Sequence, residues 1–438
     1  MKTNVAIKYP LFTAEGAPAV RINAEQELRR LSATCLLWED NFYESGQSIV
    51  SRIAELIPKC RPEFVAACAF EMRTKQKLRH APLLLCREML KHPQHKPLVG
   101  SLLADVIQRA DEITEFLAMY WREGKRPIAK QAKVALGKAF NKFTEYQFAK
   151  YNRDGAVKLR DALFLCHAKP ESDEKAILFK KIAEKKLETP DTWEVALSGG
   201  DDKKATFERL MYEGTLGALA FLRNLRNMQQ AGVSMQTVVD YANKVDITRV
   251  LPFRFIAAAR AVPDWEPMLE PLMLSSMDGR DKIPGKTLVL LDVSGSMDAV
   301  VSAKSDITRL DAACGVAILL REVCDQVSVA TFSKLLVAVP PRRGFALRDA
   351  IVTSQEHSST QLGAALVALN NGVKYDRIVV LTDEQSHDRV GAPNGKGYMI
   401  NVASNRNGVG YGAWTHIDGW SEAVVDYIQE YERIGPVA

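Results

Sequence analysis

The chain has 438 residues and is 47% hydrophobic and 25% charged. These are ordinary globular values that exclude a disordered, collagen-like or low-complexity polypeptide, and the length favours two or three domains. The formal net charge of +5 is unevenly spread: residues 286–438 hold 14 Lys+Arg against 17 Asp+Glu, and the preceding 285 residues hold 44 against 36. A polyanion is therefore expected to bind the first, basic part. No apolar stretch approaches the roughly 18 residues of a membrane span. The first twenty residues place Lys8, Pro10, Glu15 and Pro18 among small residues, without an apolar signal core. A cytoplasmic protein is expected. The seven cysteines (35, 60, 68, 86, 166, 314 and 324) include no Cys-x-x-Cys pair and lie in apolar, helix-patterned surroundings, as buried reduced thiols do.

From about Glu25 to Met277 apolar residues recur at three- and four-residue steps, as in Leu28, Leu31, Cys35 and Trp38. This is helical spacing. Pro58, Pro97, Pro127, Pro170, Pro190, Gly199-Gly200, Gly232 and Pro252 cut the region into short amphipathic helices. So many in succession favour helix pairs stacked as a solenoid of the HEAT type, although no repeat recurs in the sequence itself.

Between Gly124 and Thr144 stand Lys125, Arg126, Lys130, Lys133, Lys138 and Lys142, with no acid. On a helical projection Ile128, Ala132, Ala135, Leu136, Ala139 and Phe143 gather on one side, and Arg126, Lys130, Lys133 and Lys138 on the other. Phe140, Phe143, Tyr146, Phe148 and Tyr151 follow closely, then Lys150, Arg153, Lys158 and Arg160. Phosphate contacts and stacking surfaces for nucleic acid fit this pattern, with a solvated lysine face over core aromatics as the competing reading.

After Ile283-Pro284-Gly285 the pattern changes. Apolar runs at Lys286 to Asp292, Val327 to Phe332, Ile378 to Thr382 and Tyr398 to Val402 alternate with helical segments at Asp311 to Val323, Thr360 to Leu369 and Ser421 to Glu432. The alternation predicts a doubly wound α/β sheet, mostly parallel, with its ligand site at the carboxyl ends of the strands. The first strand ends in Leu291-Asp-Val-Ser-Gly-Ser-Met297, where Asp292, Ser294 and Ser296 can aim a carboxylate and two hydroxyls at one point. Hard oxygen ligands of this kind suit Mg²⁺. With Thr360, and with Asp383 at the end of Ile378-Val-Val-Leu-Thr-Asp, they resemble the metal-ion-dependent adhesion site of the von Willebrand factor A family, over about residues 286–438. In that family the open metal position receives a carboxylate from a partner protein. Neither a Gly-x-Ser-x-Gly elbow nor a phosphate loop accompanies the site, and His357, His387 and His416 read as surface or loop residues. The chain is not expected to be an enzyme.

Several segments of the first part are similar to the TROVE module of the Ro ribonucleoprotein family: Asp40-Asn-Phe-Tyr-Glu-Ser-Gly46, Arg73-Thr-Lys-Gln-Lys-Leu-Arg-His-Ala-Pro-Leu-Leu-Leu85, and Leu165-Cys-His-Ala-Lys-Pro170. The resemblance divides the chain into an all-α, HEAT-like helical-repeat TROVE domain at 1–285 and a von Willebrand factor A domain at 286–438. It implies a monomeric ring that holds small noncoding, Y-like RNA on its basic outer surface and single-stranded 3′ ends of misfolded RNA in a central hole. Lys150, Arg153 and His167 match positions lining that hole. The absence of a Gly-Gly-Thr-Tyr-Tyr run after Leu28-Arg-Arg marks a divergent branch, bacterial or phage-borne.

The reading is an RNA-binding scaffold or RNA quality-control factor. Lys130, Lys133, Lys138, Lys142, Lys150, Arg153 and His167 contact RNA, and Mg²⁺ is held by Asp292, Ser294, Ser296, Thr360 and Asp383. An RNA-processing protein or nuclease would dock on that metal through an acidic group. The alternative is a metal-dependent protein-interaction or assembly module without a specific RNA role. In Arg73, Lys75, Lys77 and Arg79 a solvated helix face is expected.

Overall fold

The computed structural model describes residues 11–19, 21–34, 45–152, 155–248, 250–301, 305–402, 407–419 and, within 424–432, residues 424, 425, 428, 429 and 432. Among them are 19 α-helices and a six-stranded sheet. The chain forms two compact units: residues 50–210, and residues 1–49 together with 211–438. This packing division differs from the change of secondary structure near 285, because helices from 218 onward pack with those of the sheet region.

Among its described residues the unit 50–210 contains helices and no strand. After α1 (Ala24–Thr34) and α2 (Gly46–Leu56) come α3 (Pro62–Thr74), α4 (His80–Met89), α5 (Val99–Val106), α6 (Asp111–Tyr120), α7 (Lys130–Ala139), α8 (Glu145–Tyr151), α9 (Leu159–Leu165), α10 (Asp173–Glu184), α11 (Trp193–Ser198) and α12 (Lys203–Tyr212). Helix α3 packs on α4 and α5, α4 on α6, α5 on α7, α6 on α9, and α9 on α10. Near neighbours in sequence are thus neighbours in space, as in a solenoid. Boundaries follow cap chemistry. Thr144 Oγ1 accepts from Gln147 N (3.3 Å) while Gln147 Oε1 accepts from Thr144 N (2.9 Å), a reciprocal pair that satisfies two helix-end donors of α8. Helix α7 begins at Lys130, three residues later than Pro127 suggests. Pro127 belongs to the approach, where its carbonyl accepts from Tyr120 Oη at 3.1 Å.

Arg73 and Arg79 do not form a solvated face. Arg73 is buried, donating from Nη2 to Glu112 Oε1 (2.7 Å) and from Nε to Val106 O (2.8 Å). Glu112, fully buried, accepts at its other oxygen from Gln108 N (2.8 Å) and Arg109 N (3.0 Å) at the entrance of α6. One ion pair therefore ties α3 to α6.

The other unit is built on the sheet. Helices α13 (Ala218–Gln230), α14 (Met235–Ala242), α15 (Pro252–Ala261) and α16 (Glu266–Ser275) precede β1 (Ile283–Asp292). Then follow α17 (Arg309–Val323), β2 (Cys324–Phe332), β3 (Leu336–Val339), α18 (Gly344–Val352), α19 (Leu362–Gly372), β4 (Arg377–Thr382), β5 (Lys396–Asn401) and β6 (Thr415–Asp418). The strand order is β3-β2-β1-β4-β5-β6, parallel except for β3. The four expected strands are present. Both edge strands, β3 and β6, are additional: each is four residues long, and Thr-His-Ile-Asp in β6 has too few apolar residues to signal a strand. The expected helix at 421–432 lies largely outside the described residues.

Residues 288–291 of β1 are buried on both faces. Leu288 and Leu290 join Phe332, Leu366, Ile378 and Val380 in one core, which also receives Ala17 from the N-terminal segment. Helix α17 covers β1 and β2 and is itself buried along almost its whole length, with α15 and α18 against it. Its Gly315 permits close approach, since a Cβ there would lie 3.1 Å from Phe253 Cβ. The six described cysteines, Cys60, Cys68, Cys86, Cys166, Cys314 and Cys324, are buried and unbridged, as their apolar context implies.

Two predictions follow from the buried charges. Arg73→Ala leaves Glu112 without its cation, and denaturant unfolding is expected to show a loss of about 3–5 kcal/mol, whereas Arg73→Met with Glu112→Leu costs much less. The second concerns Glu432, which accepts from Arg377 Nε and Nη2 (2.7 Å each), Lys396 Nζ (3.0 Å) and Tyr398 Oη (3.0 Å). Burial alone would raise its carboxyl, but these donors bring it down to about 2 from 4.5. Its contribution is present above pH 4.5 and is lost as pH falls from there towards 2. Glu432→Gln should flatten the stability profile over that interval.

Candidate metal centre and basic face

Asp292 is the last residue of β1 and Asp383 directly follows β4, its parallel neighbour, with Leu291 opposite Leu381. Both carboxylates are thereby brought to the carboxyl ends of adjacent strands at the point where the strand order reverses. Both are fully buried, with Ser294 and Thr360 nearly so and Ser296 partly exposed. Asp292 Oδ1 accepts from Ser294 N (2.9 Å) and Oδ2 from the Thr382 hydroxyl (2.6 Å). The Ser294 and Ser296 hydroxyls lie 3.2 Å apart. Ser358 O accepts from Gly295 N at 3.4 Å, and Thr360 O accepts from Ser386 Oγ at 3.2 Å. The loop carrying Thr360 is thus tied to the loops that follow β1 and β4.

Burial, and then repulsion from Asp383, push the Asp292 carboxyl up to about 7 despite its bonds from Ser294 and Thr382. Two buried carboxylates with three hydroxyls form a hard oxygen donor set whose surplus is negative, and these residues fit a small divalent cation. No group of three or more His, Cys, Asp or Glu is placed for a metal among the described residues. Arg309, from the first turn of α17, brings Nη1 to 3.4 Å from Ser296 O and 3.9 Å from Asp383 Oδ2. The sequence reading missed both Arg309 and Thr382. Thr382 was legible, since it closes the strand that presents Asp383.

The loop after Asp383 holds the N-terminal segment. Glu384, at a left-handed φ of 62°, accepts from Arg30 Nη1 of α1 (2.6 Å) and pairs with His416 of β6. Thr13 Oγ1 donates to Ser386 O (2.8 Å), and Gln385 Oε1 accepts from Ala14 N (2.8 Å). His416 is therefore not a surface residue: its side chain is 5% exposed and stacks on Tyr411 at 3.8 Å. His357 bonds Asp298 through Nδ1 (2.9 Å) and Val352 O through Nε2 (2.9 Å), while His387 faces Glu15 at 3.0 Å.

On α7 the expected division holds. Ala132, Ala135, Leu136 and Ala139 are fully buried, Lys130 and Lys138 are exposed, and Lys133 is half-buried. Lys142 does not belong to this face. Its ammonium donates to Ile107 O (3.0 Å) and to Ala104 O, closing the carbonyl end of α5. Of the five aromatics, Phe140, Phe143 and Phe148 are core, packed ring to ring. Tyr146 is half exposed, and Lys150 Nζ lies 5.8 Å from its ring and 5.9 Å from that of Tyr151. His167 is exposed, at a left-handed φ of 51° just past α9, and is not a core histidine. Arg153, and residues 40–44 of the first TROVE-like segment, lie outside the described residues.

Comparison with known proteins agrees with this architecture. The TROVE domain model matches residues 183–278, and the Ro60 vWA domain model matches residues 286–394. Telomerase protein component 1 of Mus musculus is 33% identical over 90 residues, 19% of this chain; the chain spans only 3% of that protein's length. The crystal structure of the Deinococcus radiodurans RO (RSR) protein superposes with a TM-score of 0.60 at 18% identity, covering 93% of this chain and 99% of that one. That likeness establishes the fold: helices followed by a von Willebrand factor A-type α/β sheet. Found in order, the two domain models together with this shared fold support a Ro/TROVE family protein.

Proposed function

We propose that this protein binds RNA as a Ro-type ribonucleoprotein scaffold or RNA quality-control factor. The observation that carries the reading is the lysine face of α7, set over a fully apolar face in a chain that the TROVE domain model matches and whose basic excess lies before residue 286. Lys130, Lys133 and Lys138 would neutralise phosphates of a structured noncoding RNA of the Y type. Single-stranded 3′ ends of misfolded RNA would meet Lys150, Arg153 and His167 in the opening that the family resemblance implies. Lys150 already lies beside two tyrosine rings, a pairing of cation and stacking surface that suits unpaired nucleotides.

Asp292, Ser294, Ser296, Thr360 and Asp383 would hold Mg²⁺, which supplies a Lewis-acidic position for an outside oxygen. That ligand would be an acidic group of a partner, such as an RNA-processing protein or nuclease. A binding role agrees with the surroundings better than catalysis: both serine hydroxyls face each other, and both His357 nitrogens are engaged.

Reversing charge in Lys130→Glu/Lys133→Glu/Lys138→Glu should reduce the slope of log affinity against log salt by about two to three, at roughly 0.7–0.9 per phosphate contact. Lys142→Ala should leave that slope unchanged and cost about 1 kcal/mol of stability. An unchanged slope in the triple variant would favour the protein-interaction module without a specific RNA role. For the metal, calorimetric titration with Mg²⁺ should give one site in the wild type and none in Asp292→Ala.

A further inference from the structure

Within residues 50–210 a cavity of about 250 Å³ is lined by Arg79, Arg109, Asp111, Glu115 and Tyr151, together with residues 155–157. At the ~30 Å³ a liquid water occupies, this is the space of about eight waters, too large for a packing defect. Arg109 Cζ stands 4.5 Å over the Tyr151 ring. Arg79 Nη2 bonds Glu115 Oε1 (2.6 Å) and Asp111, and Arg109 Nη2 bonds Asp111 Oδ2 (3.0 Å). Two guanidinium groups are thus matched by two carboxylates, and no surplus positive charge is left for a phosphate.

What the cavity does offer is a flat stacking surface, the Arg109–Tyr151 pair, on which a planar ligand could lie. Lys150, on the same helix as Tyr151 and 5.9 Å from its ring, places a cation beside the cavity for the ligand's backbone. Neutral pocket, stacking surface and adjacent cation together match an unpaired nucleotide better than a phosphate or a duplex.

We propose that this cavity takes one unpaired nucleobase of a bound RNA, stacked on the Arg109–Tyr151 pair. It rests on the RNA-binding reading and can fail independently of it. The test is anisotropy of full-length protein with an unstructured RNA oligonucleotide across a salt series, alongside the fluorescence of an oligonucleotide carrying 2-aminopurine. Tyr151→Ala should weaken binding by about 5- to 150-fold, the range for losing one base–aromatic stack, with the salt slope unchanged. Tyr151→Phe should retain affinity, and 2-aminopurine should be quenched on the wild type. If the wild type binds RNA but Tyr151→Ala binds equally well, or if 2-aminopurine on the wild type stays unquenched, the pocket assignment is overturned while the RNA-binding reading survives. Failure of the wild type to bind RNA at all would overturn both.

Discussion

Two carboxylates that repel each other occupy the centre of the sheet region. Asp292 and Asp383 are fully buried at the ends of β1 and β4, and the strand order makes those strands neighbours. A pair of this kind persists where hydroxyl donors and positive charge offset it. Ser294 and Thr382 supply the donors, and Arg309 brings a guanidinium to 3.9 Å of Asp383. With two negative charges and one arginine nearby, a divalent cation would leave the site positive overall. A site so charged would favour an acidic outside ligand.

The same loop organises the N-terminal segment. Glu384 holds Arg30 and His416 immediately after Asp383, and residues 385–386 pair with residues 13–14. Burial would raise the Glu384 carboxyl, but Arg30 and His416 bring it down to about 2, so it stays charged. Glycines make this crowding possible: a Cβ at Gly408 would lie 2.2 Å from Glu384 Oε2, and one at Gly410 would lie 2.5 Å from Oε1. A segment more than 350 residues away in sequence is thereby fastened beside the candidate metal ligands.

Legibility in the sequence followed the range of the interaction. The apolar side of α7 could be read from spacing, because Ala132, Ala135, Leu136 and Ala139 report a local period. Lys142 could not, because the carbonyls it satisfies belong to α5, more than 30 residues earlier. Arg73 looked like one of four surface cations until Glu112, 39 residues on, supplied its buried partner. His416 was misread for the same reason: its partner Glu384 lies on another loop. Asp292 and Asp383 were legible because each ends an apolar run, and strand ends are where such sheets place ligands. The edge strand β3 is wholly apolar but only four residues long, and β6 carries too few apolar residues to stand out. The family resemblance was read from segments at 40–46, 73–85 and 165–170, whereas the TROVE domain model matches 183–278, so the two rest on different parts of the chain.

The most direct measurement is binding of the purified protein to a structured RNA bearing a single-stranded 3′ tail, against the same RNA blunt-ended, across a salt series. Submicromolar, tail-dependent affinity that weakens steeply with salt is the predicted result. Weak binding, indifferent to the tail, would contradict an RNA-binding role and leave the metal centre as the functional site of a protein-interaction module.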